Sequence, residues 1–476
     1  MAGFVTNVTN MVQPLNISCT TNKIKMQTKQ FEDKSLAHYS YAILCEGEKK
    51  LVLIDPSRNP KQYIDYAKEN DAEITGIIET HPHADFVSSH LELHEATGAT
   101  IYASKLVAAF YTHHSFDEGQ HIQLGKIKLS ALNTPGHSTD SICIVLEHGG
   151  IQKAVFTGDT LFIGDCGRPD LRPEDGDAQK TATKLAKQMY HSLRDKLMPL
   201  NDDTIVYPAH GAGTLCGKAL SKESRSTIGE EKKTNWSLQR QTSEEFVKEL
   251  LSGQPAIPAY FAYDVELNRK GAPAFEKSVH SIMIGEAVTT ETSAHLLNDD
   301  IWIIDGRNEQ RYKAGHLKHS INLMEGEKFE TWLGSIITPL EQFYLAGENE
   351  NSLKEMIART AAIGYEPQIL EAFVLNYGEI KQEKIDVNRF KDNQGDYTII
   401  DVRNVSEVEE KKIFENSLSF PLGELRNNLD KIPTGKPIVV HCAGGYRSAA
   451  ASSLLQSALK GSVQVFDLEE AIKEFE

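Results

Sequence analysis

The chain has 476 residues, 40% hydrophobic and 25% charged, the proportions of a globular protein and not of a disordered or fibrous one. Fifty Lys+Arg against 67 Asp+Glu leave a net charge of −17, which argues against nucleic acid or an anionic membrane as partner, because both need a basic footprint. At about 150 residues per domain, the length suggests about three domains.

Six scattered cysteines (Cys19, Cys45, Cys143, Cys166, Cys216 and Cys442) are too few for a disulfide framework. There is no run of 18 apolar residues, and the first 18 residues lack the basic flank and apolar core of a signal peptide. The expectation is a soluble, cytoplasmic enzyme in a reducing compartment.

In chain order, Tyr41–Cys45 and Leu51–Asp55 read as a hairpin closed by a Gly-Glu-Lys-Lys turn. Further short apolar runs follow at Ile74–Thr80, Thr100–Ala103, Ile127–Leu132, Ile142–Glu147, Ala154–Gly158 and Ile205–Pro208. Helical stretches intervene at Pro60–Asn70, Ser88–Gly98 and Lys180–Leu197. This mixture predicts an α/β sandwich with its function on strand-end loops. A polar stretch, Ser221–Arg240, precedes a proline-spaced segment, Gln254–Pro273, that reads as a wrap or linker rather than a domain core.

Beyond it two segments repeat each other. Ile301–Arg307 is an apolar strand ending in Asp305-Gly-Arg307, and Ile399–Arg403 ends in Asp401-Val-Arg403. The expectation is a duplicated small α/β domain.

Four strand ends carry metal-ligand chemistry: His81-Pro-His83-Ala-Asp85, Thr134-Pro-Gly-His137, Thr157-Gly-Asp159 and Pro208-Ala-His210. Imidazoles and carboxylates converging from such loops are ligands for Zn or Fe. Taken together, these motifs resemble the metallo-β-lactamase family over roughly 1–274, which implies a four-layer αββα sandwich. That family's first motif usually ends in a histidine that serves a second ion. Here the position is Phe86, whose ring cannot coordinate, so one metal per chain is expected.

Phe156–Asp170, with its Gly-Asp-Cys-Gly-Arg core, and Ser226–Asn235 resemble the persulfide dioxygenase branch of the family. The resemblance implies mononuclear Fe(II) held by His81, His137 and Asp159, a facial triad with positions left for a persulfide and O2. His83, Asp85 and His210 then orient the ligands around it. Arg168 falls where the branch places polar residues near the thiol substrate. Cys216, on a glycine-rich loop just past His210, is a candidate sulfur carrier, whereas Cys166 reads equally as packing.

Cys442-Ala-Gly-Gly-Tyr-Arg447 follows an apolar strand and opens a helix. Such a loop turns backbone N–H groups inward as an anion nest, which with Arg447 favours a thiolate or persulfide. The segment from about 384 to 476 resembles the rhodanese sulfurtransferases, with Cys442 as the sulfur carrier. The middle copy, about 275–383, resembles a rhodanese without a cysteine or a loop arginine: its equivalent strand ends at Leu345 and runs into Ala346, where the cysteine would stand, and Glu348 and Glu350 would repel an anion. It is expected to be inactive.

These resemblances imply oxidation of a low-molecular-weight thiol persulfide to sulfite, followed by sulfur transfer from Cys442 giving thiosulfate. A zinc thioesterase of the glyoxalase II type fused to sulfurtransferase domains is the alternative, and a persulfide-sensing scaffold a third. Broad α/β surfaces make self-association an expectation.

Overall fold

The computed structural model describes residues 26–172, 177–218, 220–326 and 328–475. Cys19 and the amino-terminal segment therefore lie outside the described residues. The first sheet contains β1 (Met26–Asp33), β2 (His38–Cys45), β3 (Lys50–Ile54), β4 (Glu73–Ile78), β5 (Thr100–Ala103) and β6 (His114–Ser115), hydrogen-bonded in that order. A second contains β7 (His121–Leu124), β8 (Ile127–Asn133), β9 (Ile142–His148), β10 (Ile151–Gly158), β11 (Ile205–Pro208) and β12 (Ser226–Thr227), also in sequence order. The hairpin foreseen around Gly47 is β2–β3, with Tyr41 opposite Ile54 and Cys45 opposite Lys50.

Alternation explains the layering, because successive strand side chains face opposite ways. Tyr41, Ile43 and Ile54 of the first sheet meet Leu129, Ile144 and Phe156 of the second in a shared core. The other faces carry helices. Leu44, Leu51 and Leu53 pack on Tyr63 and Ala67 of the helix Lys61–Glu69. Val145 and Val155 pack on Ala186 and Met189 of the helix Ala178–His191. The result is the αββα sandwich.

Two four-stranded parallel sheets follow. One contains β13 (Trp302–Asp305), β14 (Ser320–Asn322), β15 (Phe343–Gly347) and β16 (Ile369–Val374), in the order β14-β13-β15-β16. The other contains β17 (Thr398–Asp401), β18 (Leu418–Ser419), β19 (Ile438–His441) and β20 (Val465–Asp467), in the matching order β18-β17-β19-β20. The repeated Asp-x-Arg motifs are superimposable in their bonding. Arg307 Nε and Arg403 Nε each donate to their aspartate at 3.0 Å, and each Nη2 donates to a downstream carbonyl, Gly315 or Lys411, at 2.9 Å. A buried aspartate paired in this way locks the strand end to the following loop.

The segment Gln254–Pro273, expected as a wrap or linker, contributes to a core. It holds the helix Phe261–Lys270, whose Phe261 and Asn268 are buried. Its apolar residues span too few turns for periodicity to stand out between the flanking prolines. Phe261 and the preceding Tyr260 join one continuous core that runs from Phe86 through Leu333 and Tyr365 to Leu425 and Leu454. The three parts of the chain therefore share apolar packing. No helix among the described residues is long and apolar enough to cross a membrane.

Candidate metal centre and the C-terminal thiol

All four predicted strand ends open on the same edge of the sandwich. His81 follows β4, His137 follows β8, Asp159 follows β10 and His210 follows β11. His137 Nε2 and His81 Nε2 lie 3.5 and 3.9 Å from Asp159 Oδ2. His81, His137 and Asp159 form one set whose donor atoms all lie within 4.8 Å of one another, close enough to share an ion.

Their orientation is built from behind. His137 Nδ1–H donates to the Arg168 carbonyl at 2.9 Å, and His210 Nδ1–H to the Ala37 carbonyl at 3.2 Å. Thr80 Oγ1 donates to Asp55 Oδ2 at 2.8 Å, which leaves it to accept from His81 Nδ1–H at 3.0 Å. Protonation at Nδ1 leaves each Nε2 lone pair pointing inward, the tautomer a metal requires. Burial keeps His81 and His137 neutral: it pushes His81 well below the usual imidazole range and His137, with help from Arg172, down to about 3. Burial also raises Asp159, to about 6, against the pull of His210. Burial acts the same way on His210, but the Asp85 and Asp159 carboxylates outweigh it and hold its pKa up.

The residues fit a cation. Both Asp159 oxygens and His210 Nε2 are buried and make no hydrogen bond of ordinary geometry among the described residues. Buried carboxylates left this way are costly unless a cation completes them. A close backbone approach shapes the floor: a Cβ on Gly167 would fall 2.0 Å from the Asp159 carbonyl and 3.2 Å from His137 Nδ1.

The remaining candidates divide. Asp85, His210 and Cys216 form a second compact set, with His210 Nε2 3.4 Å from Asp85 Oδ2. Burial beside Asp85 and Asp159 pushes the Cys216 thiol well up, so it stands as a neutral thiol at the edge of the triad. His83 turns away from the triad. Its Nε2 lies 3.2 Å from Asp55 Oδ1 and 3.8 Å from Glu79 Oε2. Phe86 is fully buried, its ring centroid 3.9 Å from that of His38 and 4.3 Å from that of His83.

Arg168 is buried and paired. Its side chain is 1% exposed and forms a two-pronged pair with Asp170, both bonds at 2.7 Å. The pairing comes from Asp170 two residues on, and it turns the arginine into a scaffold whose carbonyl aims His137. Cys166 is buried and its thiol is pushed up by burial, consistent with packing.

Sequence reasoning missed three supports. Asp55 ends β3 in the same way that Asp159 ends β10, so the strand-end rule could have found it. His38 and Asn268 carry no local signal. Asn268 Nδ2–H groups donate to the His83 and Phe86 carbonyls at 2.8 and 2.7 Å, and its Oδ1 accepts from Ser88 N–H at 2.8 Å, clamping the metal loop from 182 residues away. The stretch Ser226–Asn235 acts similarly: the Asn235 amide donates to the Phe162 and Asp165 carbonyls at 3.0 Å and holds the loop that leads to Arg168.

At the other end of the chain, Cys442 Sγ accepts a hydrogen bond from Gly445 N–H at 3.1 Å, at the foot of the 13-residue helix Tyr446–Ala458. Gly445 has φ +97°, a conformation that only glycine adopts without strain. Arg447 points to Glu407, which it binds twice, at 2.6 and 2.8 Å. The loop is thus shaped as an anion nest, but its arginine is neutralised by a carboxylate.

Comparison with known proteins agrees with these two centres. Residues 36–210 match the metallo-β-lactamase superfamily and residues 386–476 match the rhodanese-like domain. A metallo-β-lactamase of known structure from Staphylococcus aureus is 30% identical, with a TM-score of 0.67, covering 73% of this chain and 99% of its own. The chain belongs to the metallo-β-lactamase superfamily.

Within the superfamily, the likeness runs in two directions. The mitochondrial persulfide dioxygenase ETHE1 of Bos taurus is 31% identical over 222 residues, 46% of this chain and 78% of its own length. A probable hydroxyacylglutathione hydrolase of Schizosaccharomyces pombe is also 31% identical, over 177 residues. The chain spans 63% of that hydrolase's length. The superfamily metal centre here therefore sits in one chain with a C-terminal rhodanese-like domain.

Proposed function

We propose that the metal centre is a mononuclear Fe(II) site that oxidises a low-molecular-weight thiol persulfide, and that the rhodanese-like domain transfers sulfane sulfur. The observation that carries this reading is Phe86, an apolar ring buried where the superfamily's second ion takes a histidine. It leaves a two-histidine, one-carboxylate triad in the same chain as a cysteine anion nest. Iron, when bound, supplies the redox chemistry with O2 that zinc lacks. The overall balance is R–S–SH + O2 + H2O giving R–SH, sulfite and two protons.

The chain's own residues prepare the site. Thr80 and Arg168 aim His81 and His137, Asp159 supplies the single negative ligand, and the buried shell of Phe86, Phe162 and Tyr260 limits water. At Cys442 the Gly445 N–H and the helix amino terminus stabilise a thiolate or its persulfide. Cys442 persulfide then gives its outer sulfur to sulfite, forming thiosulfate and regenerating the thiolate.

The test is O2 uptake on glutathione persulfide by iron-loaded and zinc-loaded protein, with metal content measured in the same samples. One iron per chain is expected, with uptake at least about 100-fold above the zinc form, since zinc offers only Lewis acidity. Full uptake with zinc alone, or two fully occupied ions, would refute the reading. The thioesterase alternative draws on Asp85, His210 and Cys216, which offer a second set of donors, and on the equal identity to the hydroxyacylglutathione hydrolase. Zinc-dependent hydrolysis of a hydroxyacylglutathione thioester, without O2 uptake, would favour it.

The middle copy is proposed to be catalytically silent for reasons of register. Asp401 pairs with His441, and Asp305 pairs with Ala346, so the position matching Cys442 is Gly347, one residue beyond the Ala346 that the sequence alone suggests. Two residues separate Gly347 from its helix Glu350–Ala362, where three separate Cys442 from its own. The nest is already filled: Asn349 Oδ1 accepts from the N–H groups of Asn351 and Ser352 at 3.0 and 3.1 Å. A Cβ at Gly347 would also meet Leu353 at 2.8 Å. Gly347→Cys in a Cys442→Ser background is expected to show no thiosulfate:cyanide sulfur transfer, and measurable transfer would show the copy to be competent.

A further inference from the structure

A cavity of about 500 Å³ opens on Cys442, and its walls come from all three parts of the chain. Cys442 and Arg447 belong to the rhodanese-like domain, Lys328 and Trp332 to the middle copy, and Gly213 and Leu215 to the loop that leads from His210 to Cys216. The walls are tied together. Tyr446 Oη donates to the Met324 carbonyl at 2.7 Å, and Lys328 Nζ donates to the Gly213 carbonyl at 2.7 Å. Arg168 pins the third wall from below: its N–H donates to the Cys216 carbonyl at 3.0 Å and its Nη1 to the Leu215 carbonyl at 3.3 Å. One peptide bond therefore separates a wall of the Cys442 cavity from a thiol beside the metal triad.

We propose that this cavity binds the small-molecule persulfide that loads Cys442, and that Trp332 of the cysteine-free middle copy sets its specificity. The proposal rests on the sulfurtransferase reading of the C-terminal domain and adds to it a role for the middle copy. The volume lies in the range of small-molecule sites, roughly 300–1,000 Å³. An indole and a leucine give apolar surface for the body of the carrier. The Arg447 charge is spent on Glu407, so apolar contact carries the recognition of the carrier's body. In the loading step the Cys442 thiolate attacks the outer sulfur of R–S–SH. The S–S bond of the donor breaks, R–S⁻ leaves, and Cys442 becomes a persulfide carrying the transferred sulfur and its proton.

The test uses the full chain and two sulfur donors of different size, glutathione persulfide and thiosulfate, with cyanide as acceptor. Trp332→Ala is expected to raise KM for glutathione persulfide about tenfold with little change in kcat, as removing an aromatic anchor that the ligand covers does. Thiosulfate is small enough to need only the nest, so its KM stays within about twofold. Trp332→Phe restores most of the lost affinity.

An unchanged KM for glutathione persulfide in Trp332→Ala overturns the proposal, as does equal loss with both donors in both Trp332 variants. Absence of thiosulfate:cyanide transfer in the unsubstituted chain refutes the underlying sulfurtransferase reading itself, and is measured separately.

Discussion

His137→Ala abolishes persulfide-dependent O2 uptake while leaving thiosulfate:cyanide sulfur transfer within about twofold. The size of the first effect follows from the ligand set. His137 Nε2 is 3.5 Å from Asp159 Oδ2, and with His81 it supplies both imidazoles of the triad. Loss of groups that merely support a ligand costs about 10–100-fold in metal affinity, so loss of a ligand itself should cost at least about 100-fold. The second effect follows from placement, because Cys442, Gly445 and the helix they cap share no hydrogen bond with His137 among those described. Metal content, O2 uptake and sulfur transfer measured on one preparation decide the matter. Loss of sulfur transfer in a well-folded, metal-free variant would show that the two centres do not work independently.

Cys442→Ser leaves O2 uptake within about twofold and shifts the product from thiosulfate to sulfite. Serine nearly matches the thiol in shape, so the nest and the cavity keep their form, but a hydroxyl cannot carry sulfane sulfur. Thiosulfate:cyanide transfer in this variant falls below detection. The measurement is sulfite and thiosulfate quantified together during O2 uptake, after subtraction of the non-enzymatic reaction of sulfite with persulfide. Thiosulfate still dominating would remove Cys442 from the transferring role. Loss of O2 uptake would mean that the domain feeds the metal centre instead of draining it.

Much of this molecule was legible because its chemistry is local in the chain. His81-Pro-His83-Ala-Asp85 and Thr157-Gly-Asp159 each follow a strand directly, so a strand and its next residues are enough to place a ligand at the sheet edge. Cys442 to Arg447 is a single loop between β19 and a helix, and a loop of that length has few ways to fold. The repeat of Asp305-Gly-Arg307 as Asp401-Val-Arg403 likewise needs only two residues of separation to form its ion pair.

What depended on partners distant in sequence was decided by the tertiary structure alone. That Arg168 is buried, its guanidinium taken up by Asp170 and the carbonyl of Leu215, is a fact its neighbours in sequence do not announce. His83 sits in a metal motif, but its Nε2 is drawn to Asp55, 28 positions earlier on a neighbouring strand. Asn268 clamps that motif from a helix that resembles a linker in sequence. Strand pairing, which no single segment encodes, moved the counterpart of Cys442 from Ala346 to Gly347. The wall that the cysteine-free copy lends to the Cys442 cavity has the same origin: Trp332, 110 positions earlier in the chain, lines the thiol's cavity by packing against a core common to all three parts. Local motifs declare which groups carry the chemistry, because covalent spacing holds them together before the chain folds. Which of those groups faces a substrate, and which is spent on holding another in place, follows only from long-range burial, where each buried charge must find its partner.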